Sequence, residues 1–469
     1  MLGHSPPDKT GTDLLPHPRY TLEMNRRTFL ATLGAPALAA PKRPPNIVLI
    51  VADDLGWGDL AINGAPDIQT PHIDSIARAG VRFTQSYASA PECSPTRCAL
   101  LTGRYPQRAG GLECAIGVNN IGRYDEAAWL QQRGELGLPT AETTLSRQLK
   151  SLGYDTALAG KWHLGYAPKH SPSAHGFNYA FGILGGNADY FTHEEQGEGA
   201  GNVQMFENGA KTRRSGYMTD VIADAALGWL RQPRTKPFFL YLPFTAPHTP
   251  IQAKEDFDSA TGTAPHRQGH RPTYARMVER MDARIGDLLR QLDAIHAAAN
   301  TIVVFVSDNG ADANGRNHPF RGRKSSLWEG GIRAPLHIRW PEKIRPGGQT
   351  AQVALTMDLA PTLLRAAGAP AGRSDGIDLM PFLTGARPPV QRTVFWRYKR
   401  GQVVRRAVRH HNWKYVDDNG SAELHELSLD MAEANNLAPS RTGIVQQLQR
   451  RLQAWEQDVQ SPRLRAFRP

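Results

Sequence analysis

Cysteine is scarce in this 469-residue sequence, and charge is not concentrated in any one stretch. The three cysteines, Cys93, Cys98 and Cys114, are too few for a disulfide framework or a cysteine-rich metal site. Cys98 and Cys114 could pair or could be small buried apolar residues, and we favour the second alternative. The net charge is +11, which could attract a polyanion or could reflect scattered solvated charges. Because no basic block and no basic–aromatic stripe occurs, nucleic-acid binding is not expected.

The N-terminal segment also lacks an apolar stretch long enough to cross a bilayer, and no other segment offers one. Arg26 and Arg27 precede a short apolar stretch that ends in small residues at Ala40. This pattern predicts a twin-arginine export signal within an N-terminal extension, residues 1–40. We therefore expect an exported, periplasmic or extracellular protein with the twin-arginine export machinery as a partner. The alternative is an alanine-rich N-terminal helix. The chain could start at Met1 or Met24.

Short apolar runs alternate with helical patterns through most of the chain. The runs Asn46–Ala52, Pro237–Pro243 and Thr301–Ser307 are typical of buried strands. They predict an α/β fold whose large, mixed, mostly parallel sheet is sandwiched by helices, over residues 41–368. Residues 369–469 are predicted to form a smaller α+β subdomain with an antiparallel sheet. Its terminal helix is predicted over Thr442–Val459.

Polar residues follow two of the predicted strands directly. Asp53 and Asp54 come after the first strand, and Asp308 and Asn309 come after Thr301–Ser307. In parallel sheets, ligands bind at the carboxyl ends of strands. Adjacent buried carboxylates repel each other unless a cation neutralises them. Four oxygen donors suit Ca²⁺ or Mg²⁺ better than zinc, because no histidine-rich or cysteine-rich ligand set accompanies them.

Cys93 begins the segment Cys93-Ser-Pro-Thr-Arg97. Proline is common in the first turn of a helix, so Cys93 is predicted at a helix N-terminus. There the helix dipole favours an anion and lowers the pKa of a thiol. Arg97, one turn further on, can face the same site. The alternative is a buried structural cysteine.

Four more side chains are candidates for binding an anion or moving a proton. Lys161 and His163 are two residues apart and point to the same side if the segment is extended. His248 lies in a proline-flanked loop after the strand Pro237–Pro243, and Lys324 lies in a basic segment. Each has an ordinary alternative as a solvated surface residue. Lysine can bind an anionic oxygen, and histidine can move a proton near neutral pH.

Taken together, these motifs resemble those of the formylglycine-dependent type I sulfatases of the alkaline-phosphatase-like superfamily. The resemblance covers about Asn46 to Leu437. It departs from the family at Glu92, where family members usually have a small or apolar residue. The matching segments are Asp53-Asp-Leu-Gly56, Thr70–Asp74, Cys93–Arg97 with Leu100–Arg104, Gly153–His163, Ser307–Gly310, Lys324 with Trp328–Gly331, and Leu424–Leu427 with Asn435–Leu437.

The resemblance implies a sulfuric ester hydrolase in which a maturation enzyme converts Cys93 to formylglycine. One hydroxyl of the hydrated aldehyde would attack sulfur, with Arg97, Lys161 and Lys324 stabilising the sulfuryl oxygens. His248, together with Lys324, would protonate the leaving alcohol. His163 would take a proton from the second hydroxyl, which expels sulfate. One Ca²⁺, with Mg²⁺ as the alternative, would bind the modified residue and the strand-end residues Asp53, Asp54, Asp308 and Asn309.

Within the family, the segments Gly182–His193, Pro243–His248 and Arg321–Gly331 look most like those of N-acetylgalactosamine 4-sulfatase (arylsulfatase B). This likeness predicts a sulfated carbohydrate substrate, with galactosamine-type glycosaminoglycan saccharides favoured. Substrate contacts are predicted at Asp189, Tyr190, His193 and His318. Two alternatives stay open. One is a phosphodiesterase or phosphonate monoester hydrolase of the same superfamily, and the other is a non-catalytic binder of sulfated glycans.

Overall fold

A computed structural model describes residues 43–195, 205–370 and 372–468. From Pro44 onward the chain forms one compact unit. The predicted export signal lies outside the described residues. Among those that are described, no helix has the length and hydrophobicity needed to cross a membrane. The predicted domain boundary between residues 368 and 369 stays a prediction.

The strands, in chain order, are β1 Asn46–Ala52, β2 Val81–Phe83, β3 Ser86–Tyr87, β4 Asp155–Lys161, β5 Tyr179–Ile183, β6 Phe206–Glu207, β7 Ala210–Lys211, β8 Phe238–Pro243, β9 Thr301–Ser307, β10 Leu336–Arg339, β11 Gly348–Thr350, β12 Ala354–Leu355, β13 Thr393–Arg400, β14 Val403–His410, β15 Trp413–Asp418 and β16 Ser421–Glu426. The α-helices are α1 Pro71–Arg78, α2 Cys93–Thr102, α3 Pro106–Ala109, α4 Asp125–Gln132, α5 Leu145–Ser151, α6 Met218–Leu230, α7 Arg271–Ala294, α8 Glu329–Ile332, α9 Leu359–Ala366, α10 Met380–Leu383 and α11 Thr442–Asp458.

The main sheet has ten strands in the order β11-β2-β10-β9-β1-β8-β4-β5-β6-β7. Its centre is parallel, with β1 between β8 and β9, and β10 pairs antiparallel with β9. Alternate residues of β1 belong to different cores. Leu49 packs in the core that contains residues of α2, α5 and α9, and Ile50 packs in the core with α1, α6 and α7. Helices therefore cover both faces, as the alternating pattern predicts.

The C-terminal sheet is antiparallel, in the order β13-β14-β15-β16. Trp396 of β13 and Trp455 of α11 pack in a third core with Tyr87 of the main domain. The predicted antiparallel sheet and terminal helix are confirmed. The fourth strand, β16, has the sequence Ser-Ala-Glu-Leu-His-Glu, which shows little apolar alternation.

Cys93, Cys98 and Cys114 are all buried with free thiols. Cys98 and Cys114 both pack in the core that contains α2 and α5. Of the two alternatives for this pair, the structure therefore supports small buried apolar residues.

Candidate active site

The site lies where the central parallel strands end. Asp53 and Asp54 follow β1, and Asp308 follows β9, the strand paired with it. Lys161 is the last residue of β4, and the loop that begins after β8 carries His248. The strand order β9-β1-β8-β4 therefore brings these segments to one edge of the sheet. The edge is the one at which parallel sheets bind ligands.

The residues after β1 and β9 are joined by hydrogen bonds. The Asp54 N–H donates to Asp308 Oδ1 at 3.3 Å, and Asn309 Nδ2 donates to Asp54 Oδ1 at 2.7 Å. Asp54 has φ 61°, a left-handed conformation that is uncommon outside glycine. Backbone strain of this kind concentrates at functional sites.

Cys93 is the first residue of α2, as predicted, and its side chain faces the strand ends. Its Sγ donates to Asp53 Oδ1 at 3.3 Å. Arg97 lies one turn further along the same helix. Its guanidinium donates twice to Asp308 Oδ2, at 2.8 and 3.0 Å, and lies 3.5 Å from Asp53 Oδ1. The helix therefore places Cys93 and Arg97 against the same pair of carboxylates.

The expectation of a lowered thiol pKa at Cys93 is wrong. Burial, followed by the charges of Asp308 and Asp53, raises the pKa of this thiol well above its ordinary value. The favourable helix N-terminus is outweighed because the thiol is fully buried beside two carboxylates. An unmodified Cys93 is therefore protonated at neutral pH and is a weak nucleophile.

Each of two lysines pairs with one of the adjacent carboxylates. Lys161 Nζ donates to Asp53 Oδ2 at 2.5 Å, and Lys324 Nζ donates to Asp54 Oδ2 at 2.7 Å. Burial raises the pKa of the Asp54 carboxyl, but the charge of Lys324, the smaller effects of His248 and Lys161, and the hydrogen bond from Lys324 together outweigh burial, so the pKa falls well below its usual range. Burial and the charge of Asp53 raise the pKa of Asp308 to about 6. With Arg97, three cations balance three carboxylates.

His163 lies just past the end of β4 with φ 57°, so the segment is not extended there. The extended geometry on which the expected alignment of Lys161 and His163 depends is therefore absent at His163. His163 Nε2 lies 2.8 Å from the Ile116 carbonyl, which can only accept, so Nε2 carries the proton. Nδ1 is buried and has no partner among the described residues.

The protonation state of His163 follows from its surroundings. Burial, and then the charge of Lys161, lower the pKa of this imidazole well below its ordinary value. A cation next to a buried imidazole disfavours the charged form. His163 is therefore a neutral imidazole whose Nδ1 lone pair is free to take a proton.

The tautomer of His248 is likewise fixed by a backbone carbonyl. Its Nδ1 lies 2.7 Å from the Thr249 carbonyl and so carries the proton, while Nε2 accepts from Lys324 Nζ at 3.0 Å. Burial and then the charge of Lys324 lower the pKa of His248 to about 3. Lys324 and His248 therefore form a hydrogen-bonded pair in which the lysine holds the proton.

The donor atoms fit a divalent cation. Ligand atoms of four residues lie within 4.8 Å of one another: Asp53, Asp54, Cys93 and His248. Asn309 Oδ1 is buried and has no hydrogen-bond partner in the described part of the chain. A buried oxygen without a partner is costly unless a ligand satisfies it. Oxygen donors of this kind are the ones that Ca²⁺ and Mg²⁺ prefer.

The residues predicted to contact substrate divide into two groups. Tyr190 and His193 are buried. The Tyr190 hydroxyl donates to the Thr245 and His248 carbonyls, and His193 Nε2 lies 2.9 Å from the Gly216 carbonyl. Tyr190 therefore packs against the His248 loop. Contact of Tyr190 and His193 with substrate stays a prediction.

The other two predicted contacts are more accessible. Asp189 is partly buried, and its Oδ1 accepts from the Phe191 and Thr192 N–H groups. His318 is exposed. Both stay predictions.

Two backbone carbonyls that fix the histidine tautomers were not predicted. They belong to Ile116 and Thr249, and each accepts from an imidazole N–H. No sequence signal identifies a carbonyl that approaches a catalytic side chain, because every residue has one.

Comparisons with known proteins agree with this geometry. Residues 45–369 match the family model for sulfatases, and residues 320–458 match the model for the C-terminal region of N-sulphoglucosamine sulphohydrolase. Human N-acetylgalactosamine-6-sulfatase is 34% identical, over 86% of this chain and 78% of that protein. Mouse steryl-sulfatase is 34% identical, over 83% of this chain and 72% of that protein.

A solved structure is similar over nearly the whole chain. The crystal structure of Ps i-CgsB in complex with k-i-k-neocarrahexaose has 32% sequence identity and a TM-score of 0.78. The match covers 89% of this chain and 94% of that one. Family model, relatives and structure agree with the family that the motifs predict. The chain belongs to the sulfatase family of the alkaline-phosphatase-like superfamily and is an arylsulfatase-like sulfuric ester hydrolase.

Proposed function

We propose that this sulfatase hydrolyses sulfate monoesters of sulfated carbohydrates, with galactosamine-type glycosaminoglycan saccharides favoured, through a formylglycine made from Cys93. The observation that carries the proposal is the position of Cys93. Cys93 begins α2 and donates to Asp53 Oδ1. The guanidinium of Arg97, on the same helix, lies 3.5 Å from the same oxygen. A family member with its cysteine in this position needs only the modification to present a nucleophile.

The surroundings of Cys93 support modification over direct use of the thiol. Asp53 and Asp308 disfavour a thiolate, and burial adds to the same effect. A hydrated aldehyde avoids this obstacle, because it reacts as a hydroxyl whose proton can be removed locally. His163 supplies a neutral imidazole with a free Nδ1 for the proton of the second hydroxyl, whose loss expels sulfate. The partner that this requires is a formylglycine-generating maturation enzyme.

A bound cation completes the electrostatics. Without one, Arg97, Lys161 and Lys324 are each paired with a carboxylate, and the cluster carries no net positive charge for a sulfate group. We propose that Ca²⁺, or Mg²⁺, is held by modified Cys93 and by Asp53, Asp54, Asp308 and Asn309. When bound, the cation supplies Lewis-acid stabilisation of anionic oxygen.

The remaining chemistry belongs to the chain's own cations and histidines. Arg97, Lys161 and Lys324 stabilise the sulfuryl oxygens as negative charge develops on them. The proton for the leaving alcohol comes from the Lys324–His248 pair, whose atoms are 3.0 Å apart. This proposed assignment is supported by the neutral state of His248 and by its Nε2 lone pair, which is directed at Lys324.

The choice of a carbohydrate substrate is supported by two similar proteins and by charge. Human N-acetylgalactosamine-6-sulfatase is named for a sulfated amino sugar, and Ps i-CgsB was crystallised with a neocarrahexaose. The net charge of +11 favours encounter with a polyanion. We further propose export by the twin-arginine route, which rests on Arg26 and Arg27 in the N-terminal segment.

The test is sulfate release from a panel of substrates after co-expression with a formylglycine-generating enzyme. The panel holds an aryl sulfate, 4-sulfated and 6-sulfated N-acetylgalactosamine saccharides, heparan fragments and an aryl phosphodiester, with Cys93→Ala as control. We expect release from the galactosamine saccharides by the wild type alone. Turnover of only the phosphodiester would replace the proposal with the phosphodiesterase alternative. Binding of the saccharides without turnover would favour the non-catalytic alternative.

A further inference from the structure

Glu92 is a buried carboxylate directly before Cys93, at the N-cap position of α2. Its Oε2 accepts from the Ala115 N–H at 2.7 Å. Its Oε1 accepts from the Ser325 hydroxyl at 2.5 Å and from the Tyr398 hydroxyl at 3.1 Å. Arg400 lies 3.4 Å from the same oxygen and balances the charge. A buried carboxylate is tolerated when it is paired and hydrogen-bonded in this way.

On the first side, Glu92 fixes the support of His163. Ala115, whose N–H binds Oε2, directly precedes Ile116. The Ile116 carbonyl is the group that accepts from His163 Nε2, and the Ile116 N–H donates to Ser94 Oγ at 3.1 Å. Glu92 and Ser94 flank Cys93 in sequence. Both therefore bind the segment of Ala115 and Ile116, and the Ile116 carbonyl sets the tautomer of His163.

On the second side, Glu92 fixes the segment that carries Lys324. Ser325 follows Lys324, has φ 69°, and donates its N–H to the Pro91 carbonyl at 2.9 Å. Its hydroxyl donates to Glu92, and its carbonyl accepts from Arg405 of β14 at 2.7 Å. The backbone at Ser325 is held on three sides in a conformation that a non-glycine residue rarely adopts.

We propose that Glu92 is a positioning residue that sets Lys324 and His163 relative to position 93. The inference rests on the proposed function, in which those two side chains handle the protons of the reaction. One carboxylate binds the two segments that carry or support them, while its own backbone precedes the nucleophile. Displacement of reacting groups by about 1 Å can cost about a hundredfold in rate.

The variants Glu92→Ala and Glu92→Gln test the proposal. Formylglycine content is measured for each by mass spectrometry of the peptide that contains position 93, and kcat is expressed per formylglycine. We expect Glu92→Ala to lower kcat by about 10- to 100-fold, with a smaller change in KM. Glu92→Gln should recover most of this loss, because its amide oxygen can accept from Ala115 while its NH₂ donates to hydroxyls that can rotate.

A double-mutant cycle separates positioning from general destabilisation. Ser325→Ala should lower kcat. It should have little further effect in the Glu92→Ala background, because each change removes the same hydrogen bond between the Ser325 hydroxyl and Glu92. Asp358→Ala is the matched control. Asp358 is also a buried carboxylate that accepts from a backbone N–H, of Leu355, and pairs with an arginine, Arg392. It should lose stability and keep kcat per formylglycine within about twofold.

Crystal structures of wild type and Glu92→Ala give a readout that does not depend on turnover. We expect Lys324 Nζ and the His163 ring to shift in the variant. The proposal is overturned if neither moves, if kcat per formylglycine is unchanged, or if lower formylglycine content accounts for the whole loss. Absence of turnover by the wild type on every sulfate ester would instead speak against the proposed function, and the structural comparison would still decide the role of Glu92.

Discussion

Two buried clusters of charged residues in this protein have similar composition but differ in how the atoms in and beside them are paired. The strand-end cluster consists of Asp53, Asp54, Asp308, Arg97, Lys161 and Lys324. The sheet cluster joins the C-terminal sheet to the main domain and consists of Glu329, Arg333, Lys414 and Glu433. In the sheet cluster, Lys414 Nζ lies 2.8 Å from Glu329 and 2.9 Å from Glu433. Arg333 and the Tyr87 hydroxyl bind the second oxygen of Glu329.

The clusters differ in what they leave unsatisfied. Both carboxylate oxygens of Glu329 are bonded; burial alone would raise its pKa, but Lys414 and Arg333 lower it to about 2. Beside the strand-end cluster, Asn309 Oδ1 and His163 Nδ1 are buried without a partner in the described chain. In the sheet cluster, Arg333 Nε and Glu433 Oε1 also have no hydrogen-bond partner in the described chain, but both belong to charged groups that are ion-paired, because Lys414 Nζ lies 2.9 Å from Glu433 Oε1 and Arg333 donates to Glu329. Asn309 Oδ1 and His163 Nδ1 belong to neutral side chains with no such pairing, so they are the atoms that a ligand could satisfy.

The largest expected effect on stability comes from breaking the sheet cluster. Lys414→Met leaves Glu329 and Glu433 buried without their lysine and should cost about 3–5 kcal/mol of unfolding free energy. The kcat of the folded fraction should not change. Urea unfolding and activity assays measure the two quantities. Lys399→Met is the control, because the Lys399–Glu126 pair is partly exposed and should contribute at most about 1 kcal/mol. Equal costs for both variants would contradict this reading of the cluster.

The corresponding change in the strand-end cluster should act on catalysis. Lys161→Met removes a cation that stabilises the sulfuryl oxygens and should lower kcat by about 10²- to 10³-fold. Its cost in stability should shrink when Ca²⁺ is present, because the ion neutralises Asp53. Steady-state kinetics and unfolding with and without Ca²⁺ test both parts. Near-normal kcat in this variant would assign Lys161 a purely structural role.

Cation binding should distinguish the strand-end cluster from the sheet cluster. We expect Ca²⁺ to stabilise the wild type by about 3 kcal/mol when free Ca²⁺ exceeds its Kd about a hundredfold. Asn309→Ala removes the buried unpartnered oxygen and should reduce the shift in Tm, whereas Lys414→Met should leave the shift unchanged. An identical Ca²⁺-dependent shift in the wild type and in Asn309→Ala would place the cation elsewhere.

His337 tests whether a lack of partners alone identifies function. Both its ring nitrogens are buried without partners among the described residues, yet it lies on β10 and stacks on Phe305. Burial, and then the charge of Arg82, lower its pKa from 6.5 to about 3. Below pH 6.5 the unfolded chain therefore binds a proton that the folded chain does not. The free energy of unfolding consequently decreases as the pH is lowered.

The His337→Phe variant isolates this effect from those of the other buried histidines. Between pH 7 and pH 5 the wild type should lose about 2 kcal/mol more unfolding free energy than the variant. The kcat of the variant at pH 7 should match that of the wild type. A parallel loss of stability in both proteins would show that His337 does not titrate in this range.

The sequence predicts the sheet and the strand-end residues because both depend on local patterns. The apolar runs at β1 and β9 each end in adjacent polar residues, and parallel pairing brings those ends together. Cys93 at the start of α2 likewise follows from the proline and the helical pattern after it.

What the sequence does not predict depends on contacts between distant segments. The raised pKa of Cys93 depends first on burial and then on the charge of Asp308, which follows the distant strand β9. The contact of Glu92 with Tyr398 of β13 likewise depends on how the C-terminal sheet packs against the main sheet. Local propensity carries no information about such contacts.

The central claim, that formylglycine at position 93 performs sulfate ester hydrolysis, is tested most directly by varying the extent of modification. Batches of wild-type protein expressed with graded amounts of maturation enzyme would be assayed for formylglycine content by mass spectrometry and for sulfate release from an aryl sulfate and the best saccharide. We expect the rate of sulfate release to be proportional to formylglycine content and to extrapolate to zero for the unmodified protein. A rate independent of formylglycine content would contradict it.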